Sequence, residues 1–358
     1  MDELDTTQNI PNALITHTPD VYEIEDPIQA ITFVLLLLNY TNGVSEFLEH
    51  LIESNDYYAQ FLEYATQLED KAVKILLDLL LDKQFTAVVE ENYVDRIYRD
   101  SYYTYYSKKH QDYSRHCKRV LIFDGKLKDS FLNTPTTELQ EKFKGCFIIR
   151  PLAVGKIGRS LLDPFYFKSN LRGCHLRKTH YEITSFGKQL TISAFPFSMQ
   201  DGETTTCAEV IILNILDYYS HRYPEYHFVL PNDIYQISQK LSYQRLIPSI
   251  GLQYELISKV FSETGFSPVI FNDKTNGIKD LKHIMYYYIE SGIPVVIGLK
   301  TERGQKHVVI GIGHGKSNKK LLYHNKYVFQ NEESVVYVAN TADSINDYCI
   351  IFKESIIF

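Results

Sequence analysis

The segment that begins at Cys207 constrains the fold most, because as a helix it is apolar around almost its whole circumference. The apolar positions are Val210, Ile211, Ile212, Leu213, Ile215 and Leu216. A helix that is apolar on every side has no face for water, so it must lie inside its domain. Thr206 can serve as its N-cap, and Glu209 completes a Thr-x-x-Glu capping box. The sequence therefore predicts a buried helix that starts at Cys207.

Cys207 stands on the first turn of this predicted helix, where its chemistry is of interest. A helix N-terminus carries partial positive charge and unpaired N–H groups, and both favour a thiolate over a thiol. Most cysteines act as small buried hydrophobes, but the residues before this one are polar from Glu203 to Thr206. They place Cys207 at a loop–helix edge, which favours a nucleophile. Gln200, a short step upstream, is placed to share an oxyanion hole with a backbone N–H.

A nucleophilic thiolate needs a base, and that base needs a group that orients it. His307 is preferred as the base because it opens a strongly apolar predicted strand directly after a polar loop. His314 is the alternative, but the glycines around it indicate a turn. Asp343 is preferred as the orienting group, with Asn340 as the alternative, since both follow the next predicted strand.

Composition excludes several classes of function for this chain of 358 residues. A net charge of −7 gives no overall electrostatic basis for binding nucleic acid. The N-terminus is acidic, unlike the basic start of a signal peptide. The apolar run over residues 30–38 is much shorter than the roughly 20 residues that span a bilayer. We therefore expect a soluble, cytoplasmic protein without a membrane span.

Cysteine usage is also consistent with a cytoplasmic protein, because the five cysteines are scattered and none forms a CxxC pair. They are Cys117, Cys146, Cys174, Cys207 and Cys349. This pattern argues against a disulfide framework and against a zinc site. It is typical of a reducing compartment. We expect neither a metal nor another cofactor.

Periodicity divides the chain into three predicted parts. Residues 1–115 form a mainly helical N-terminal region, with a poorly ordered lead to about residue 25. Its predicted helices are 28–40, 44–52, 57–68, 71–81 and 93–113. Residues 116–189 form a short β-rich connecting region packed on the last domain. Its predicted strands are 119–123, 146–150 and a hairpin at 180–183 and 189–195 that turns at 186–187.

Residues 190–358 place helices first and strands afterwards, which indicates an α+β fold. The helices that follow the one at Cys207 are predicted at 232–241, 252–264 and 278–290. The strands are predicted at 293–299, 307–312, 333–338 and 349–352.

These residues resemble a papain-like cysteine peptidase, and within that fold the bacterial C39-like group. The resemblance spans about residues 190 to 358 and follows the order of the family's parts. Those parts are Gln200, Cys207 on a central helix, a helix–Gly–Pro–strand unit at 290–297, His307 opening a strand, and Asp343 after the next strand. There are two departures. Thr-Cys-Ala stands where the family often has Asp-Cys-Gly, and a polar insertion at 315–333 precedes Asp343.

The resemblance implies a two-lobed domain, a helical lobe plus an antiparallel sheet, with the active site between them. Cys207 would be the nucleophile, His307 the general base, Asp343 or Asn340 its orienting partner, and Gln200 an oxyanion donor. The implied function is hydrolysis of a peptide or isopeptide bond in a protein or peptide substrate. The alternatives are an acyl- or amidotransferase with the same triad, and a catalytically silent scaffold or sensor. The N-terminal helices are a candidate docking site for a protein partner.

Overall fold

The computed structural model describes residues 19–40, 57–241, 252–300, 306–316, 326–330, 335–339 and 348–351. Within these ranges the chain is a mixed α/β protein, and its paired strands are antiparallel.

The helices, in chain order, are α1 (Pro27–Leu37), α2 (Tyr57–Gln67), α3 (Lys71–Leu80), α4 (Arg96–Thr104), α5 (Thr136–Lys142), α6 (Pro164–Phe167), α7 (Cys207–Arg222), α8 (Pro231–Leu241), α9 (Tyr254–Glu263) and α10 (Asp273–Glu290). The strands are β1 (Asp20–Ile24), β2 (Phe85–Tyr93), β3 (Cys117–Asp124), β4 (Phe143–Ile149), β5 (Ile157–Leu162), β6 (His175–Leu176), β7 (Thr179–Ser185), β8 (Lys188–Ala194), β9 (Val295–Lys300), β10 (Lys306–His314), β11 (Lys326–Gln330), β12 (Val335–Ala339) and β13 (Tyr348–Ile351). Short 3-10 turns lie at Tyr106–Lys108 and Ser169–Leu171.

The first sheet has five strands in the order β1-β2-β3-β4-β5. It takes strands from both sides of the predicted boundary at residue 115, and the three-part division of the chain stays a prediction. The prediction of a poorly ordered lead was wrong for residues 20–24, which form β1. A long-range contact orders this segment, because β1 pairs along β2. The pairs run from Asp20 opposite Val89 to Ile24 opposite Phe85. No local apolar pattern marks such an edge strand.

Several local predictions in the first half are confirmed. Asp26 caps α1 and Pro27 follows at the first helical position. The hairpin turns at Phe186 and Gly187, whose φ angles of 44° and 77° suit a two-residue turn. The predicted helix over 93–113 is shorter than expected, because β2 continues to Tyr93 and Asp95 then caps α4. The predicted helix at 44–52 lies outside the described residues.

The second sheet is built around β10. β13 pairs along one edge of β10, while β9 and β6 pair along the other. α7 packs against β10 and against β7, so it lies between the sheet and the hairpin. Its residues from Ala208 to Tyr219 are buried, as the sequence predicted. β11 and β12 form a separate pair, which places a strand inside the predicted polar insertion.

A buried ion pair ties α7 to the first sheet. Arg159 on β5 donates to both carboxylate oxygens of Asp217, at 2.6 and 3.0 Å. The imidazole of His221 lies 3.0 Å from the same carboxylate. Burial alone would raise the pKa of Asp217, but Arg159 and His221 outweigh burial and hold that pKa below its usual value. The Asp217 carboxylate therefore stays ionised, and its pairing with Arg159 holds α7 against the first sheet.

Removal of this carboxylate leaves the Arg159 guanidinium without its partner, so we expect Asp217→Ala to lower the free energy of unfolding by about 3 kcal/mol. Because the folded-state pKa is depressed, the contribution is present at neutral pH and is lost as the pH falls through that pKa. Urea denaturation at several pH values measures both effects. Asp78→Ala breaks the more exposed pair with Lys168 and should change stability by less than about 1 kcal/mol. Equal effects of the two variants would contradict this role of Asp217.

Candidate active site

Cys207 is the first residue of α7 and is half-buried. The N-cap residue Thr206 is extended, and its N–H donates to Oε2 of Glu209 at 3.0 Å, which completes the predicted capping box. Directly behind the sulfur the helix is packed, with Ala208 and Ile212 buried. The thiol therefore sits on a fixed helix end and retains partial access from outside.

The loop before Cys207 is shaped by one buried carboxylate, Asp201. Its Oδ1 accepts from the backbone N–H groups of Glu203, Thr204 and Thr205 at 2.9, 2.8 and 2.8 Å. The hydroxyl of Thr204 donates to Oδ2 of the same carboxylate. Sequence reasoning missed this residue, although Asp followed by Gly is a turn signal and Asp side chains often bind N–H groups two residues on. The loop thus reaches Cys207 in one conformation.

Gln200 lies at the start of this loop, half-buried. The main chain beside it is clamped by buried Arg150, which donates to the carbonyl oxygens of Gly155 at 2.8 Å and Met199 at 2.7 Å. Gly155 has a φ of 68°, and a Cβ added there would lie 2.2 Å from the carbonyl oxygen of Gln200. Close approach of the two backbones requires glycine at this point.

The loop is also covered by residues 101–109, which we call the tyrosine strap. Oγ of Ser101 lies 3.3 Å from the hydroxyl oxygen of Thr204. The ammonium of Lys109 forms a salt bridge with Glu203. Burial, followed by the negative charge of Asp201, raises the pKa of Tyr106, so its phenol stays protonated. The N-terminal part of the chain therefore contacts the loop before Cys207 directly.

His307 is the second residue of β10, where it pairs with Leu299 of β9. The opposite end of this strand pair lies by the C-terminal half of α7, because the hydroxyl of Tyr218 donates to the carbonyl oxygen of Gly292 at 3.2 Å. α7 also packs against β10, the strand that carries His307.

The alternative histidine, His314, is engaged elsewhere. Its Nε2 lies 2.5 Å from Oε1 of Glu290, and its Nδ1 lies 2.8 Å from the carbonyl oxygen of Gly315. The prediction that it sits at a turn was wrong, since it is the last residue of β10 and pairs with His175 and Tyr348. The reason is close strand packing, because a Cβ at Gly313 would lie 2.2 Å from the carbonyl oxygen of His175. Both ring nitrogens of His314 are therefore hydrogen-bonded.

The candidates for the third member, Asp343 and Asn340, lie outside the described residues and stay predictions. Among the residues that are described, no group of three or more His, Cys, Asp and Glu side chains is arranged to hold a metal ion. Within the same ranges, no helix combines the length and the apolar content that crossing a membrane requires.

The other cysteines differ from Cys207 in their surroundings. Cys117 and Cys146 are buried, and burial raises the pKa of both thiols, that of Cys146 to about 11. Cys349 is also buried, while Cys174 is half-buried like Cys207. None of the five cysteines forms a disulfide in the described chain. Cys174 is therefore the natural internal reference for the reactivity of Cys207.

Comparison with known proteins gives no relative from which a function could be transferred. No protein-family model matches the chain, and neither a curated protein nor a solved structure matches it. The function must be inferred from the residues and their geometry.

The loop geometry predicts that Asp201→Ala removes the acceptor for three backbone N–H groups, of which that of Thr205 is buried. We expect the free energy of unfolding to fall by about 2–4 kcal/mol, since hydrogen bonds to a charged acceptor are worth about 1.5–3 kcal/mol each and part of the loss is recovered by water. Chemical denaturation measures the change. Asp112→Ala, at an exposed position in the chain, is the matched control. A loss for Asp201→Ala no larger than that of the control would show that the carboxylate does not shape the loop.

Proposed function

We propose that the chain is a cysteine peptidase that hydrolyses a peptide or isopeptide bond, with Cys207 as the nucleophile. The supporting observation is a half-buried thiol on the first residue of a capped, buried helix. That helix packs on β10, whose second residue is the preferred base, His307. A helix N-terminus favours the thiolate, which is the nucleophilic form.

In the proposed reaction His307 takes the proton of the Cys207 thiol, and the thiolate attacks the carbonyl carbon of the scissile bond. The negative oxygen that forms accepts from the Cys207 N–H and from the side-chain amide of Gln200. Collapse of this intermediate breaks the C–N bond, and His307 gives its proton to the leaving amine. A water molecule then attacks the thioester carbonyl while His307 takes its proton. The C–S bond breaks, the acid product leaves, and His307 returns the proton to the sulfur of Cys207. Asp343 or Asn340 would orient the imidazole.

The proposed fold of this part is papain-like, with α7, α8 and α9 as one lobe and the sheet around β10 as the other. Its support is the chain order, because helices precede an antiparallel sheet as they do in that fold. A reducing compartment such as the cytoplasm fits five free cysteines, because the catalytic sulfur must stay a thiol.

Thiol reactivity tests the proposed nucleophile without knowledge of the substrate. We expect iodoacetamide to label Cys207 at least about tenfold faster than Cys174 at pH 6.5, because only Cys207 combines access with a helix N-terminus and a base. His307→Ala should remove most of this difference, while His110→Ala, at an exposed position, should leave it unchanged. Peptide mapping by mass spectrometry gives the rates. Equal, slow labelling of both cysteines would instead support the silent scaffold.

Catalysis is tested with a proteome-derived peptide library and mass spectrometry of the products. We expect the wild-type chain to cleave a subset of peptides, and Cys207→Ala to lower the rate by about a thousandfold or more, as loss of a nucleophile does. Addition of a primary amine separates the reaction types, because hydrolysis gives free acids whereas an acyltransferase gives amides. Cleavage that survives Cys207→Ala would contradict the assignment.

A further inference from the structure

A cleft of about 610 Å³ lies between the tyrosine strap and α8. The strap contributes Tyr103, Thr104, Tyr105 and Lys108, and α8 contributes Asn232, Tyr235 and Gln236. This volume is within the range of about 300–1,000 Å³ that ligand sites in proteins occupy.

The two walls of the cleft are fixed against each other. The backbone N–H of Asn232 donates to the carboxylate of Asp100 at 2.7 Å. One turn earlier on α4, the guanidinium of Arg96 lies 3.9 Å from the ring centroid of Phe228, which is a close cation–π contact. The cleft is therefore built into the packing of α4 on α8.

The cleft adjoins the loop before Cys207 through Tyr105. Burial, followed by a hydrogen bond to Glu203, raises the pKa of Tyr105, and the ammonium of Lys109 lies 5.0 Å from its ring centroid. Glu203 belongs to the loop that precedes Cys207 in the chain, and its N–H donates to the carboxylate of Asp201. A ligand in this cleft would thus extend alongside the loop that leads to the candidate nucleophile.

The lining is polar, which separates this cleft from most small-molecule sites, whose walls are predominantly apolar. It offers three phenols, two amides, a threonine hydroxyl and an ammonium, and these residues of the described chain include no carboxylate. Amides and hydroxyls both donate and accept, as the main chain of a peptide requires, and tyrosine gives contact area at low entropic cost.

Lys108 supplies the charge of this lining. Its ammonium donates to the carbonyl oxygen of Thr104 at 2.9 Å, which uses one of its three N–H donors and holds the group at the cleft. The neighbouring Lys109 is turned to Glu203 in a salt bridge. Of these two lysines of the strap, Lys109 therefore contacts the loop and Lys108 lines the cleft.

We propose that this cleft binds the part of a polypeptide substrate that flanks the scissile bond, with an acidic side chain received by Lys108. The assignment of the bound chain as substrate rests on the proposed function, whereas the preference for an acidic peptide rests on the cleft itself.

The test uses the full-length Cys207→Ala chain and a positional-scanning decapeptide library in which Glu, Gln or Lys is fixed at each position. Fluorescence anisotropy should show about tenfold tighter binding of the Glu sublibrary than of the Gln sublibrary at one position. Lys108→Gln should reduce that preference to less than twofold, while Lys74→Gln, at an exposed position on α3, should retain it. Added salt should weaken the preference in the parent chain.

The inference is overturned if no sublibrary binds, if Glu and Gln bind alike, or if the preference survives Lys108→Gln. Its failure differs from failure of the proposed function, which the reactivity of Cys207 reports separately. An acid preference that depends on Lys108 in a chain whose Cys207 is unreactive would support the cleft and reject the peptidase.

Discussion

Burial of α7 is the constraint on which the rest of this structure depends. The helix has no polar face, so the sheet around β10 and the β7–β8 hairpin must both pack on it. Its only charged groups in the buried stretch are held by specific partners, Asp217 by Arg159 and Glu209 by the N-cap Thr206. A helix fixed in this way along its length presents its first residue, Cys207, at a fixed point.

The N-terminal part of the chain is connected to the loop before Cys207 by two separate sets of contacts. The strap contacts the loop before Cys207 through Ser101 and Lys109. On the other side, the hydroxyl of Tyr40 and the ammonium of Lys156 both lie 2.6 Å from Asp70. Lys156 follows Gly155, which packs on the backbone of Gln200. The loop before Cys207 is thus supported from both flanks by residues that precede it by a long way in the chain.

Features that depend on nearby residues could be predicted from the sequence. The start of α7 follows from its capping box, the start of α1 from Asp-Pro, and the hairpin from Phe-Gly. Features that depend on distant pairing could not. β1 is ordered by β2, and His314 continues a strand because β6 and β13 lie on either side of it. Sequence reasoning missed Asp201, because its role in shaping the loop depends on its three N–H partners in the folded chain.

The proposed peptidase requires that the sulfur of Cys207 and the imidazole of His307 face each other across a groove. A crystal structure of the complete chain measures this directly. We predict a distance of about 4 Å or less between the sulfur and a ring nitrogen of His307, with Asp343 or Asn340 on the other nitrogen. A separation of more than about 8 Å, with the two groups on different surfaces, is beyond the reach of proton transfer and would contradict the peptidase.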